Sequence, residues 1–344
     1  YDGQLSARGE TIILSDNAGN TIDSATYPGS PTPGQEFLRV SEILYAPAAP
    51  TAEELAGIAT LSASDFEFVE LTNIGPSPLD ISGARFVEGI SFTFPAATIL
   101  NPGDHILVVA NLSAFNLRHP GGLNIAGQYT GKLNNDGEQL QILDAVGENI
   151  LEFTYNDAWY DPTDDDGYSL VLLDPATTPV TDYDRPANWG VSLTEGGDPG
   201  TASTGTSMTF ASWKYQHFTE EEVSDPLVTG DPLDLDSDTL NTVLEYGFGR
   251  HPRSHDAGGS YRASIVTDGG ADYLAMTFRR QKSTLDLSYL VEVSSDLSNW
   301  TTIGTVVGIP VDNGDETETV TIRDNVEARS DTPRFGRITV TVNP

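Results

Sequence analysis

The chain has 344 residues, enough for two or three domains with cores of their own. Its 17 Lys and Arg against 51 Asp and Glu leave a formal charge of −34, a field that repels nucleic acid and anionic membrane and favours cations. With no cysteine, disulfides, thiolate metal sites and cysteine nucleophiles are excluded together, and no apolar run approaches the ~18 residues of a membrane span.

Residues 3–27 (GQLSARGETIILSDNAGNTIDSATY) return without a gap at 131–155 (GKLNNDGEQLQILDAVGENILEFTY). Gly3, Leu5, Gly9, Glu10, Asp16, Gly19, Ile22, Thr26 and Tyr27 then coincide with Gly131, Leu133, Gly137, Glu138, Asp144, Gly147, Ile150, Thr154 and Tyr155. The second copy follows a long strand-like segment, so the first reads as the closing strands of a preceding domain, and the chain as a piece of a longer precursor. Two strands and a turn do not persist alone in water. Residues 1–27 are therefore expected to pack on the following domain, to complete an upstream domain of the same precursor, or to add as a strand to another copy in a head-to-tail polymer.

Residues 28–36 are a Pro/Gly linker, and short strands with turns follow to about residue 200. Phe66-Glu67-Phe68-Val69-Glu70-Leu71 alternates with the period of a half-buried strand. Ile90–Phe94, Ile106–Val109 and Leu140–Leu143 read likewise, separated by turns at Asn101-Pro102-Gly103-Asp104, Asp136-Gly137 and Asp166-Gly167. After a second linker at 198–207, Met208–Trp213 opens a helix-like stretch, and Thr219 followed by three glutamates looks like an N-cap and an acidic first turn. Residues 261–344 return to strand alternation, with a hairpin turn at Asp312-Asn313-Gly314-Asp315.

Several of these runs form an ordered set. Val40–Tyr45 with Pro47, Phe66–Asn73, Asp80-Ile81-Ser82-Gly83, Phe92–Pro95, Leu100–Gly103, Gly137-Glu138 and Pro186–Trp189 resemble a lamin tail domain over residues 37–200. The resemblance implies an immunoglobulin-like β-sandwich with a binding or scaffolding role. Tyr289–Leu297, Asn299-Trp300 and Arg334–Arg337 resemble the small C-terminal β-domain of verrucomicrobial-type secreted proteins. The expected fold is thus mostly β: a sandwich, a short helical module at 208–255 and a C-terminal β-domain at 261–344.

The sharpest chemistry lies at Asp234-Leu235-Asp236-Ser237-Asp238-Thr239-Leu240-Asn241-Thr242-Val243-Leu244-Glu245. Carboxylates at positions 1, 3, 5 and 12 of a twelve-residue loop are hard oxygen ligands that can converge on Ca2+, with the main-chain carbonyl at position 7, Leu240, as a further ligand. Through Asp234, Asp236, Asp238, Asn241 and Glu245 the loop resembles those of dockerin and thrombospondin type 3-like repeats. Thr239 stands where they carry glycine, a substitution costing about 1 kcal/mol of backbone strain. The sequence leaves open a folded loop without an ion, held by Trp213 and Leu244.

Asp161, Asp164, Asp165 and Asp166, beside Trp159 and Tyr160, read either as a solvated turn or as a cation or glycan site. Trp189 and Trp300 read as core or corner residues. His251 and His255 are separated by Pro252, which argues against a shared zinc. No GxSxG elbow, HExxH or phosphate-binding glycine loop is present, so catalysis is not expected. A hydrolase working through two carboxylates would need a deep cleft holding a close acidic pair. The expectation is a non-catalytic extracellular or cell-surface structural protein, with Ca2+ stiffening the joint between its β-domains. The competing expectation is a carbohydrate-binding region of a larger polysaccharide-active protein, bound to surface glycans.

Overall fold

The computed structural model describes residues 7–164, 166–201, 207–282, 284–328 and 333–343. They divide into two compact units, 1–206 and 207–344.

The strands of the first unit are β1 (Glu10–Ser15), β2 (Thr21–Tyr27), β3 (Leu38–Leu44), β4 (Phe68–Asn73), β5 (Leu79–Asp80), β6 (Arg85–Glu88), β7 (Ile90–Thr93), β8 (Ile99–Leu100), β9 (His105–Val109), β10 (Ile125–Gln128), β11 (Thr130–Gly131), β12 (Glu138–Leu143), β13 (Asn149–Tyr155), β14 (Leu170–Leu172) and β15 (Trp189–Val191). Two sheets carry the sandwich: β10-β9-β4-β3-β14-β15, with only β10 and β9 parallel, and β11-β7-β6-β12-β13, antiparallel throughout. Their aromatic rings meet in the core. Tyr45 and Tyr155 lie 4.9 Å apart, and Phe153 stacks on Trp189 at 5.5 Å, so Trp189 is a core residue as the sequence suggests.

The alternation of Phe66–Leu71 misreads one face. β4 is buried on both sides, Glu70 included, and so is Glu67 just before it. Polar partners make this tolerable, because a buried carboxylate is stable only when hydrogen-bonded. Glu67 accepts from the Tyr129 hydroxyl and the Leu133 amide, both at 2.9 Å. Glu70 accepts from Ser41 at 2.7 Å.

The repeat folds as two hairpins. Among the described residues β1 and β2 pair with each other alone. The hairpin is tethered at its base to the second copy: the Ala7 amide donates to Glu148 at 3.1 Å, and the Arg8 guanidinium donates to the Ile150 carbonyl.

The second unit has strands β16 (Tyr261–Asp268), β17 (Ala271–Gln281), β18 (Leu287–Ser294), β19 (Thr301–Ile303), β20 (Thr305–Val306), β21 (Val311–Asp312), β22 (Thr317–Glu327) and β23 (Phe335–Val342). They form the sheets β16-β17-β22-β20, with β21 also on β22, and β19-β18-β23. The turn between β21 and β22 falls at the Asp-Asn-Gly-Asp signal. Helix Phe210–His217 and helix Thr242–Phe248 pack into the same core as these strands: Phe210, Trp213, Tyr246 and Phe248 join Phe278, Val291, Val320 and Val340. Thr219 caps helix Glu220–Val223 through a capping box with Glu222, as its sequence predicts. Trp300 is half-buried, with the Arg337 guanidinium 4.2 Å from its ring centre.

Candidate metal centre

Loop 234–241 is wound by its own first aspartate. Asp234 accepts from the amides of Ser237, Asp238 and Thr239 at 2.8, 3.2 and 3.0 Å, which draws the chain into a tight coil. Thr239 takes φ +85°, the left-handed conformation its position demands, and Ser237 takes +65°. For a β-branched residue this is a strained choice. The helix that follows, Thr242–Phe248, is fixed at both ends. Thr242 bonds back to the Leu233 carbonyl through its amide at 2.8 Å and its hydroxyl at 3.0 Å, and Gly249 ends the helix in a left-handed cap at φ +62°. Gly247 lets the helix approach β23, since a Cβ there would sit 2.7 Å from Val340 Cγ1.

This anchoring places Glu245 inside the protein. It is 2 % exposed, and neither carboxylate oxygen has a hydrogen-bond partner. Burial first, then the charges of Asp238, Asp236 and Asp256, push its carboxyl up to about 9. Asp236 is also raised, by desolvation and by Asp238, and its Oδ2 is buried without a partner. Asp238, although burial pushes it upward, is held below the usual carboxylate range by the amides of Leu240, Ala257 and Asp256. Ligand atoms converge in two triads that share Asp238: Asp234, Asp236 and Asp238, and then Asp238, Glu245 and Asp256.

Asp256 was not foreseen. It comes from the segment after the helix, brought in when Asp238 Oδ2 accepts the amides of Asp256 at 3.0 Å and Ala257 at 2.6 Å. Its own Oδ1 is buried without a partner. No spacing rule in the sequence marks it. Two anticipated residues have other tasks. The Asn241 side chain caps the helix by accepting the Leu244 amide at 3.0 Å. The Leu240 side chain is core, leaving only its carbonyl for an ion. Asp236, Glu245 and Asp256 each carry buried oxygens without a partner, and the two triads offer hard oxygen donors alone, the chemistry of a site for a hard cation.

The second acidic cluster differs. Asp161 and Asp166 are exposed, Asp165 lies outside the described residues, and the described acids there form no group that could hold a metal ion. Tyr160 is buried, and its hydroxyl donates to the carbonyls of Pro186 at 2.8 Å and Trp189 at 2.9 Å. Trp159 leans on Trp189, with ring centres 6.3 Å apart. Tyr160 therefore offers no ring face to a sugar, because the residue closes the corner of the sandwich.

A close acidic pair does occur. Glu42 and Glu70 face each other across β3 and β4 and, with His105 and Asp198, line a cavity of about 460 Å3. Burial and then the Glu70 charge push Glu42 up to about 8. Glu42 accepts from the Ser169 hydroxyl at 2.5 Å and the Asp198 amide at 2.8 Å. Glu70 accepts from the Gly200 amide at 2.5 Å and sits 2.7 Å from His105 Nδ1. The pair thus pins segment 198–200 onto the sheet, a structural task that accounts for its burial.

His251 packs against the His217 ring at 4.7 Å, while His255 Nδ1 lies 3.5 Å from the Asp236 carbonyl, so the two do not share a metal group among the described residues. Also among the described residues, no helix is long and apolar enough to cross a membrane. No curated protein and no solved structure matches the chain. Residues 31–157, from the linker to just past β13, match the family model described as Lamin Tail Domain, an immunoglobulin-like domain that is generally non-catalytic and often structural or interaction-mediating.

Proposed function

We propose that the chain is a non-catalytic structural segment of an extracellular or cell-surface protein, its lamin-tail sandwich acting as a spacer or interaction module and its second unit stiffened by Ca2+. The ion would be held by Asp234, Asp236, Asp238, the Leu240 carbonyl and Glu245, with Asp256 closing the shell. The observation that carries the metal reading is Glu245: a carboxylate 2 % exposed with two unpartnered oxygens is costly to bury unless a cation meets it. The acidic, cysteine-free composition and the resemblance of the last strands to secreted proteins support the location. The glycan-binding alternative gains nothing from Tyr160 and Trp189, which are both buried.

Calorimetric titration with Ca2+ tests the metal reading. The chain should take up the ion and Asp236→Ala should lose the heat, whereas identical heats from the two proteins would remove Ca2+ from the account. Thermal unfolding adds a second readout. A hundredfold excess over the dissociation constant should stabilise the second unit by about 2.7 kcal/mol, and Glu245→Gln should abolish that gain.

A further inference from the structure

The hairpin of β1 and β2 reproduces that of β12 and β13 bond for bond. Glu10↔Tyr27, Ile12↔Ala25 and Leu14↔Asp23 become Glu138↔Tyr155, Leu140↔Phe153 and Ile142↔Leu151. Both copies shift register at the same step, between Leu14 and Ser15 and between Ile142 and Leu143. Both turns are tied by an aspartate: Asp16 Oδ1 accepts the amides of Ala18 and Asn20, and Asp144 Oδ1 those of Val146 and Glu148.

The surroundings are opposite. In the second copy the outer edge of β12 pairs with β6, setting Ile142 opposite Phe86, and Leu140, Ile142, Ile150, Leu151, Phe153 and Tyr155 are buried. Their counterparts Ile12, Leu14, Ile22, Asp23, Ala25 and Tyr27 are apolar at every position but Asp23. Ile12, Leu14 and Ile22 stand 42, 58 and 63 % exposed. An apolar face beside an unpaired strand edge marks a docking surface, and the second copy displays what covers such a face.

We propose that the first hairpin closes another sandwich of the same kind, pairing the free edge of β1 with a front half built like residues 31–130 that has no closing hairpin of its own. The partner contributes a strand equivalent to β6, with an aromatic residue opposite Leu14 as Phe86 is opposite Ile142. A second copy of this chain fits less well, because the corresponding edge of its β6 is already taken by β12.

The test extends the chain. An additional copy of residues 31–130 is placed directly before Gly3, keeping the spacing in which residue 130 precedes Gly131. Amide hydrogen exchange in β1 should slow by about 100-fold or more relative to the unextended chain, and the triple variant Ile12→Ser, Leu14→Ser, Ile22→Ser should restore fast exchange. Unchanged exchange would count against the proposal. Because the added segment could misfold for unrelated reasons, a second protein carries residues 10–27 in place of 138–155. Cooperative unfolding of its sandwich is expected, and failure of both proteins overturns the proposal. Light scattering of the unextended chain should give a monomer. A dimer lost in the triple serine variant would assign the face to a second copy instead, overturning it as well.

Discussion

The hairpin of β1 and β2 and the hairpin of β12 and β13 share their register, their bulge and their turn bonds, yet one displays its apolar side chains and the other buries them. Glycines, an aspartate at the turn and a β-rich pattern suffice to shape a hairpin. They say nothing of what lies above it. Burial in the second copy is supplied by β6 and by the opposite sheet, through Phe86, Tyr45 and Trp189. The backbone is thus a local property of this sequence, and the stabilisation a property of the assembled sandwich.

The comparison can be broken most easily at Phe153. Phe153→Ala removes a ring stacked on Trp189 and edge-on to Tyr183, and should cost about 3–5 kcal/mol in denaturant unfolding of the first unit. A loss below about 1 kcal/mol would mean that the second hairpin is no better anchored than the first.

The next effect is on pH dependence. In the folded protein burial raises the pKa of Glu42 to about 8 from the 4.5 of a free glutamate. A raised pKa means that the folded state binds the proton more tightly, so its contribution is fully present below pH 4.5 and is lost as pH rises through 8. The first unit should lose up to about 1.4 kcal/mol per pH unit across that window. Glu42→Gln, which keeps an oxygen for Ser169 and the Asp198 amide, should flatten the slope; an unchanged slope would place the titration elsewhere.

Smaller effects separate backbone from burial. Gly9 and Gly137 have φ +87° and +91°, and a Cβ on either would meet the carbonyl oxygen across the hairpin, Tyr27 or Tyr155, at 2.6 or 2.5 Å. Alanine at either site should cost about 1–2 kcal/mol of local strain, read at Gly137 from unfolding and at Gly9 from amide exchange in β1. Strain at only one of the two would show that the copies differ in backbone after all. Leu14→Ala should change the stability of the chain by no more than about 0.5 kcal/mol, whereas Ile142→Ala at the matching site should cost about 2–5. Equal losses would mean that the first hairpin is covered in solution.

At the candidate metal centre, the convergence of Asp234, Asp236 and Asp238, and of Asp238 with Glu245, was legible from their spacing along the loop. Asp256 was not, since it arrives from the far side of a helix, through backbone amides caught by Asp238. Asn241 has a local task that the ligand spacing does not show. The position before a helix calls for a capping side chain, and that local demand takes up its oxygen.

By itself the sequence determined the repeat and its offset, the position of most strands and turns, the sandwich class and the acidic loop, all of which rest on period, turn chemistry or short-range spacing. Only the tertiary structure decided that Glu67 and Glu70 are buried, that helices 210–217 and 242–248 share a core with the last strands, and that Glu245 has two orphaned oxygens. It also decided that one of two near-identical hairpins is left with its apolar face in water. The physical reason is common to all four. Whether a side chain is covered depends on residues far away in the chain, and an alternating pattern reads the same with or without a partner on its second face.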